Sequence, residues 1–311
     1  IKDFDKAIEL NPNRADSFHN RGRSYFFLDK YDEAIKDFDK AIELNPKDEV
    51  SFHCRACSYF ELKKYDAAIK DFDKAIKLNP KNADYVKQKG LIYLKIKNYQ
   101  LAEKNFKKSY EIDKDEFGLN SNIGLVLYGK EEYYYAIKKF LNALKIDPES
   151  HFTYANISFA KYKLGNYKEA LNDIKKSEEL YKTKSNLSFF SIFDEEQLNN
   201  VLKIYKCNDD FQKVENIYEY LYGKNKNISF LLMLGILKYK KGDFYNAISD
   251  FLEVYEFNNK NKECILYLGK AKLELKDYKN ALSDFKKYKE LDPSDDVDKL
   301  IKTCEENLTS N

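Results

Sequence analysis

Residues 31–46 read YDEAIKDFDKAIELNP and residues 65–80 read YDAAIKDFDKAIKLNP, nearly the same phrase set 34 positions apart. The spacing extends outward from there. Pro12, Pro46 and Pro80 follow one another at that period, and Pro148 falls two periods after Pro80. Tyr31, Tyr65, Tyr99, Tyr133 and Tyr167 form one column; Ala34, Ala68, Ala102, Ala136 and Ala170 form a second, and Phe4, Phe38, Phe72, Phe106 and Phe140 a third. A fixed period of this length marks a chain built from one supersecondary unit used many times.

Each unit carries apolar residues at helical spacing in both halves, so each is expected to be a pair of helices. In residues 49–82, Phe52, Ala56, Tyr59 and Phe60 mark the first helix, and Ala68, Ile69, Phe72, Ala75 and Ile76 the second. Small Ala56 and Ala68 let the two approach closely. Asn79-Pro80 then ends the second helix, because proline disfavours helical geometry in its predecessor and has no N–H to donate.

Counting in this register, residues 1–14 are the second helix of a truncated repeat, and full repeats occupy 15–48, 49–82, 83–116, 117–150 and 151–184. The missing partner of the first helix reads as a sign that the chain is a piece of a longer protein. The match slips by ten at 185–194 (SNLSFFSIFD), an insertion whose aromatic residues are costly to expose. It is expected to fold back as a plug, or else to serve as a hinge or docking loop. Three more degenerate repeats follow over 195–295, at about 195–227, 228–261 and 262–295. Residues 296–311 hold a capping helix and tail, with Val297, Leu300, Ile301, Cys304 and Leu308 on one face.

The order of Gly, Tyr, Ala, Phe, Ala and Pro at a 34-residue period resembles the tetratricopeptide repeat, over nearly the whole chain. The resemblance implies an all-α, right-handed α-α superhelix, a solenoid of tandem helical hairpins with the first helices lining a concave groove. It also implies a scaffold or adaptor that binds an extended peptide or a partner helix there.

Composition agrees with such a role. Lys and Arg total 54 against 52 Asp and Glu, a net charge of +2, which offers no global field for nucleic acid or anionic lipid. Some helical-hairpin arrays read RNA one base per repeat, but near-neutral charge and a 34-residue rather than 35-residue period argue against it. Phe230 to Leu237 is the longest apolar stretch, too short to span a bilayer. Five scattered cysteines describe no disulfide framework, which points to a reducing, cytoplasmic setting. The expected partner is therefore a protein or peptide, with no nucleic acid and no membrane insertion; oligomeric state is left open.

In the expected groove one column runs Asn20, Cys54, Gln88, Asn122, Asn156 and Asn200. Asn and Gln each offer a donor and an acceptor suited to an extended peptide backbone. The column resembles the asparagine ladder in the repeat domain of the glycosyltransferase that adds N-acetylglucosamine to proteins, with Cys54 and Gln88 departing from it. That likeness keeps open an alternative, the substrate-recruiting arm of a larger enzyme. Around the column stand His19, Arg23, Phe26, Phe27, Phe60, Lys87, Leu91, Lys95, Phe159, Tyr162, Lys163 and Lys203, a mildly basic, aromatic surface suited to an acidic or aromatic segment.

Other chemistry is weaker. The two-carboxylate clamp of chaperone-binding relatives would use Lys87 and Asn122, but Leu91 replaces an Asn, and Phe152 and Asn156 replace the closing Lys and Arg. His53-Cys54-x-x-Cys57, with His19 one repeat away, would have to bridge a helix separation of about 8–10 Å to hold zinc. The pair lies mid-helix, away from the N-terminal setting that activates redox thiols. Glu178-Glu179 and Glu305-Glu306 read as solvated surface. No phosphate-cradling loop, nucleophile elbow or His-Glu-x-x-His pair occurs, so no catalytic, cofactor or metal site is expected.

Overall fold

The computed structural model of the chain describes residues 1–185, 187–293 and 297–309. Asn186, residues 294–296 and residues 310–311, assigned above to the insertion, the last repeat and the tail, lie outside them. The described residues form eighteen α-helices and no strand, and the chain divides into two compact units, Ile1–Lys184 and Ser185–Asn311.

The first unit holds α1 (Lys2–Leu10), α2 (Ala15–Phe26), α3 (Tyr31–Leu44), α4 (Glu49–Glu61), α5 (Tyr65–Leu78), α6 (Ala83–Lys95), α7 (Tyr99–Ile112), α8 (Glu116–Gly129), α9 (Tyr133–Leu144), α10 (His151–Lys163) and α11 (Tyr167–Lys182). Each even-numbered helix packs on the odd-numbered one after it as a hairpin, and also touches the helix before it. First helices meet across repeats as well, α2 with α4, α6 with α8 and α8 with α10. The all-α solenoid of tandem hairpins expected from the 34-residue period is the fold.

Local chemistry sets the boundaries. Asp48, Asn82, Asp115 and Ser150 precede first helices, and each accepts a hydrogen bond from a backbone N–H of the first turn, satisfying donors that have no intrahelical partner. Within the hairpins, the columns recognised from sequence form the core. Ala34, Phe38 and Ala41 are buried, as are Ala68, Phe72 and Ala75, and Phe106 and Phe140. The Gly90 backbone sits so close to the Phe106 ring that an added Cβ would lie 2.7 Å from Cε1. Glycine there lets the two helices of the hairpin approach over an intact aromatic ring.

Charged side chains tie neighbouring repeats together. Arg55 grips Asp71 of its own repeat with Nε and Nη2, both at 2.7 Å, and reaches Asp39 of the preceding repeat with Nη1 at 2.6 Å. Arg21 repeats the arrangement with Asp37 and Asp5, and Lys89 keeps only the inter-repeat half, to Asp73 at 2.5 Å.

The second unit holds a 3-10 turn (Phe189–Ile192) and α12 (Glu195–Cys207), α13 (Phe211–Asn225), α14 (Ile228–Lys240), α15 (Phe244–Phe257), α16 (Lys262–Glu274), α17 (Tyr278–Leu291) and α18 (Asp298–Thr309). The segment set apart from sequence as an insertion buries its aromatic residues. Phe189, Phe190 and Phe193 are enclosed, the Phe190 ring meets Tyr220 of α13 at 6.0 Å, and Leu187 is strongly exposed. Val297 and Cys304 are buried, with Leu300 and Ile301 packed on the Phe285 core, while Leu308 is exposed. The apolar run Phe230 to Leu237 lies within α14, mostly buried.

Glu178 is not solvated surface: it is buried on α11 and paired with Lys182 at 2.9 Å. Ser177 and Glu178 fall at the 34-residue equivalents of Ala41, Ala75 and Ala143 and of Ile42, Ile76 and Leu144, positions that α3, α5 and α9 also turn towards the core.

Candidate functional site

The carboxamide column begins on the first helices of the first unit. Asn20 lies on α2, Gln88 on α6, Asn122 on α8 and Asn156 on α10; all four are half-buried, and Cys54 holds the place on α4. None of the four carboxamides hydrogen-bonds to another described residue. This sets them apart from Asn105, Asn120, Asn208 and Asn307, whose amides each bond the carbonyl one turn back. Half-enclosed amides with open donor and acceptor positions are poised for an extended main chain, which presents both kinds of group at every residue.

Asn200 departs from the column. It sits on α12 in the second unit with 6% of its surface exposed, so its amide is closed to a ligand. Leu202 takes the glycine position of that repeat, and Leu198, Val201, Ile204 and Tyr205 are buried with it, so several faces of α12 are covered. Lys203 is on the same helix and exposed.

Two concavities bring nominated residues together. Arg23, Phe26 and Phe27 of the α2 end face His53, Cys54 and Cys57 of α4 across a pocket of about 210 Å³, with Phe38 at its floor. Phe27 is 74% exposed and stands at the rim. Burial lowers the His53 pKa and pushes the Cys54 and Cys57 thiols up to about 11 and about 12. Near neutral pH the walls are therefore uncharged, and the Arg23 guanidinium is the charged group at the site. The second, of about 80 Å³, joins Lys87 and Asn122 with Asp84, Tyr110 and Leu119. Lys87 is already paired there with Asp84 at 2.8 Å, which costs it the freedom a carboxylate clamp requires. Tyr162 is half-buried, its ring 5.5 Å from that of Tyr167, and Phe159 is buried rather than lining a groove.

The cysteine and histidine side chains do not converge on a metal. Cys57 Sγ and His53 Nε2 are 3.5 Å apart, and no group of three His, Cys, Asp or Glu side chains among the described residues could hold an ion. His19 is held separately: its Nδ1 is 2.7 Å from Ser51 Oγ, whose hydroxyl donates to Asp48. With that proton committed to Asp48 and the serine buried, this is not the geometry in which an imidazole activates a nucleophile. No helix among the described residues is long and apolar enough to cross a membrane.

Comparisons with known proteins agree with the fold. Family models described as tetratricopeptide repeat match residues 15–48 and 50–82, and a second such model matches 88–116 and 266–295. Among solved structures, the type IV pilus biogenesis factor PilW superposes with a TM-score of 0.54 at 18% identity, over 68% of this chain and 93% of PilW. Pseudomonas aeruginosa PilF gives 0.50 at 16% identity, over 68% and 92%. YrrB, a repeat protein with an unusual peptide-binding site, gives 0.44 at 21% identity, over 57% and 91%. A search of curated proteins found no match.

Proposed function

Because the chain belongs to the tetratricopeptide repeat proteins, whose hairpin arrays act as protein-interaction scaffolds, we propose that its first unit binds an extended peptide across α2, α4, α6, α8 and α10. The observation that carries this reading is the set of four half-buried carboxamides, Asn20, Gln88, Asn122 and Asn156, with no hydrogen-bond partner among the described residues. They would hold peptide main chain and so demand little of its sequence. Selectivity would come from the flanks. The apolar pocket beside Arg23 and Phe27 suits a large apolar side chain next to a carboxylate, and Tyr162 offers an aromatic edge at the far end. Asn200 is left out of this set because its side chain is buried.

The test is a peptide array in which an apolar residue is flanked by Asp, Glu, neutral or basic neighbours, read with the wild-type chain and with the quadruple variant Asn20→Ala, Gln88→Ala, Asn122→Ala, Asn156→Ala. Each lost amide pair should cost about 0.5–1.5 kcal/mol, so the quadruple variant should lose about thirtyfold in affinity or more while melting like wild type. Arg23→Glu should reverse the preference for acidic flanks. Equal binding by the quadruple variant would remove the main-chain role, and indifference to flanking charge would remove the role of Arg23.

A further inference from the structure

Two of the second helices differ from all the others on their outward face. Seventeen residues after the start of the α8 repeat comes Tyr134, followed one heptad later by Leu141; the repeat that begins at α14 has Tyr245 and Leu252 at the same two positions. These side chains are 69%, 48%, 77% and 44% exposed. Every other hairpin holds polar residues there: Asp32 and Asp39, Asp66 and Asp73, Gln100 and Lys107, Lys168 and Lys175, Gln212 and Glu219, Lys279 and Lys286. Residues seven apart share one helix face. Each of α9 and α15 therefore shows water an apolar stripe where the other second helices show polar and charged groups. Single exposed apolar residues need no explanation, but an aligned pair recurring at one register is the mark of an interaction surface.

The two stripes carry opposite charge. Helix α9 contains Lys138 and Lys139 and no acidic residue, with Lys145 at its C-cap; α15 contains Asp250, Glu253 and Glu256 and no basic one. The other second helices mix both signs. Along the exposed face α9 reads Tyr134, Lys138, Leu141, Lys145, and α15 reads Tyr245, Ser249, Leu252, Glu256, so Lys145 and Glu256 occupy equivalent positions. Neither Lys138 nor Glu256 has an ion-pair partner among the described residues. Lys145 bonds only the neutral Asn142 at 3.2 Å, and Glu253 accepts from the Tyr222 hydroxyl, which leaves its charge in place.

We propose that α9 of one copy of this chain docks on α15 of another. The apolar spacing is the same on both surfaces and the charges are complementary, so each chain carries the partner for the other. Leucine and tyrosine meet at the centre, while Lys138 and Lys145 face Glu253 and Glu256 at the edge and fix register. The contact joins two different patches, so it is heterologous and either closes reciprocally or extends into chains.

Sedimentation velocity over a wide concentration range tests it. Wild type should increase in mass with concentration, and less so in high salt, which screens exposed charges. Lys138→Glu with Lys145→Glu, or separately Glu253→Lys with Glu256→Lys, should each weaken association by more than about tenfold, because like charges then face each other. An equimolar mixture of the two variants should associate again, since each supplies the sign the other has lost. All four positions are exposed, so both variants should stay helical, which circular dichroism checks. A wild type that remains monomeric throughout, or folded variants that fail to associate when mixed, overturns the proposal.

Discussion

Changing Gly235 to Ala tests whether the glycine and phenylalanine columns set the spacing of each hairpin. On its own a methyl group here should help, because alanine is favoured over glycine within a helix by about 1 kcal/mol. Packing opposes it. A Cβ at Gly235 would lie 2.7 Å from Cε1 and 3.0 Å from Cδ1 of Phe251, and 3.2 Å from Cβ of Asp250. Phe251 is fully buried, so its ring has no open space to swing into. Overpacking of this kind costs about 1–3 kcal/mol. Ala56, which occupies the same column opposite Phe72 within one core, shows that a hairpin can be built around the methyl group and sets the lower bound. The enclosed Phe251 places Gly235→Ala towards the upper bound, a net loss of about 1–2 kcal/mol. Gly223 of α13, in the same unit, has nothing within 4 Å of the equivalent position. There the helical preference acts alone, so Gly223→Ala should stabilise by about 0.5–1 kcal/mol. At about 3–5 °C per kcal/mol for a unit of this size, thermal melts should move in opposite directions, down for Gly235→Ala and up for Gly223→Ala. If both rise together, the helices part without cost and the contact does not set their spacing.

Arg55→Ala should lower stability by about 2–3 kcal/mol in urea titration, because it strands the nearly buried Asp71 carboxylate; Arg55→Lys keeps the charge but loses the two-pronged grip, and should recover part of the loss. His19, His53 and His151 all have pKa values lowered from 6.5, chiefly by burial. The folded state then binds protons less readily than the unfolded, so the stability they contribute is complete above pH 6.5 and is lost as pH falls below it; urea midpoints from pH 8 to pH 5 should fall, and less steeply in His53→Phe. Phe190→Ala should cost the second unit about 3 kcal/mol and speed hydrogen exchange around Tyr220; unchanged exchange would mean that the 3-10 turn does not brace α13.

Most of the fold was legible because the period recurs. Five repeats in register fix which residues face inward, and the Gly, Ala and Phe columns need only counting. The carboxamide column was legible for the same reason, as far as Asn156. It failed at Asn200, where the repeat has Leu202 in place of glycine and α12 buries more than one face. Glu178 looks solvated only when its charge is read alone; the period places it in the column of Ile42, Ile76 and Leu144, which faces inward. What no column could reveal is which amides bond back to their own helix. Asn120 and Asn122 look alike in sequence, yet Asn120 satisfies itself on the Glu116 carbonyl and Asn122 does not.

The ionic columns show how one repeat can serve different ends along the chain. In the first three full repeats, Arg21, Arg55 and Lys89 reach backward to Asp5, Asp39 and Asp73, so each hairpin is fastened to its predecessor. In later repeats the cation moves four residues along the first helix. Lys161, Lys238 and Lys272 pair with Asp173, Asp250 and Asp284 of their own hairpins, at 2.7–2.8 Å, and among the described residues make no ion pair with the hairpin before. Repeat arrays gain cooperativity from the interface terms between neighbours. The later hairpins are fastened to their predecessors by other pairs, Lys130 to Glu103 and Lys241 to Glu215, so the link is moved rather than lost. The backward-reaching pairs also consume the position that holds Leu141 and Leu252 further on. Where the ladder is absent, that outward site has been released from fastening repeats to one another, and on α9 and α15 it is apolar and open to a second chain.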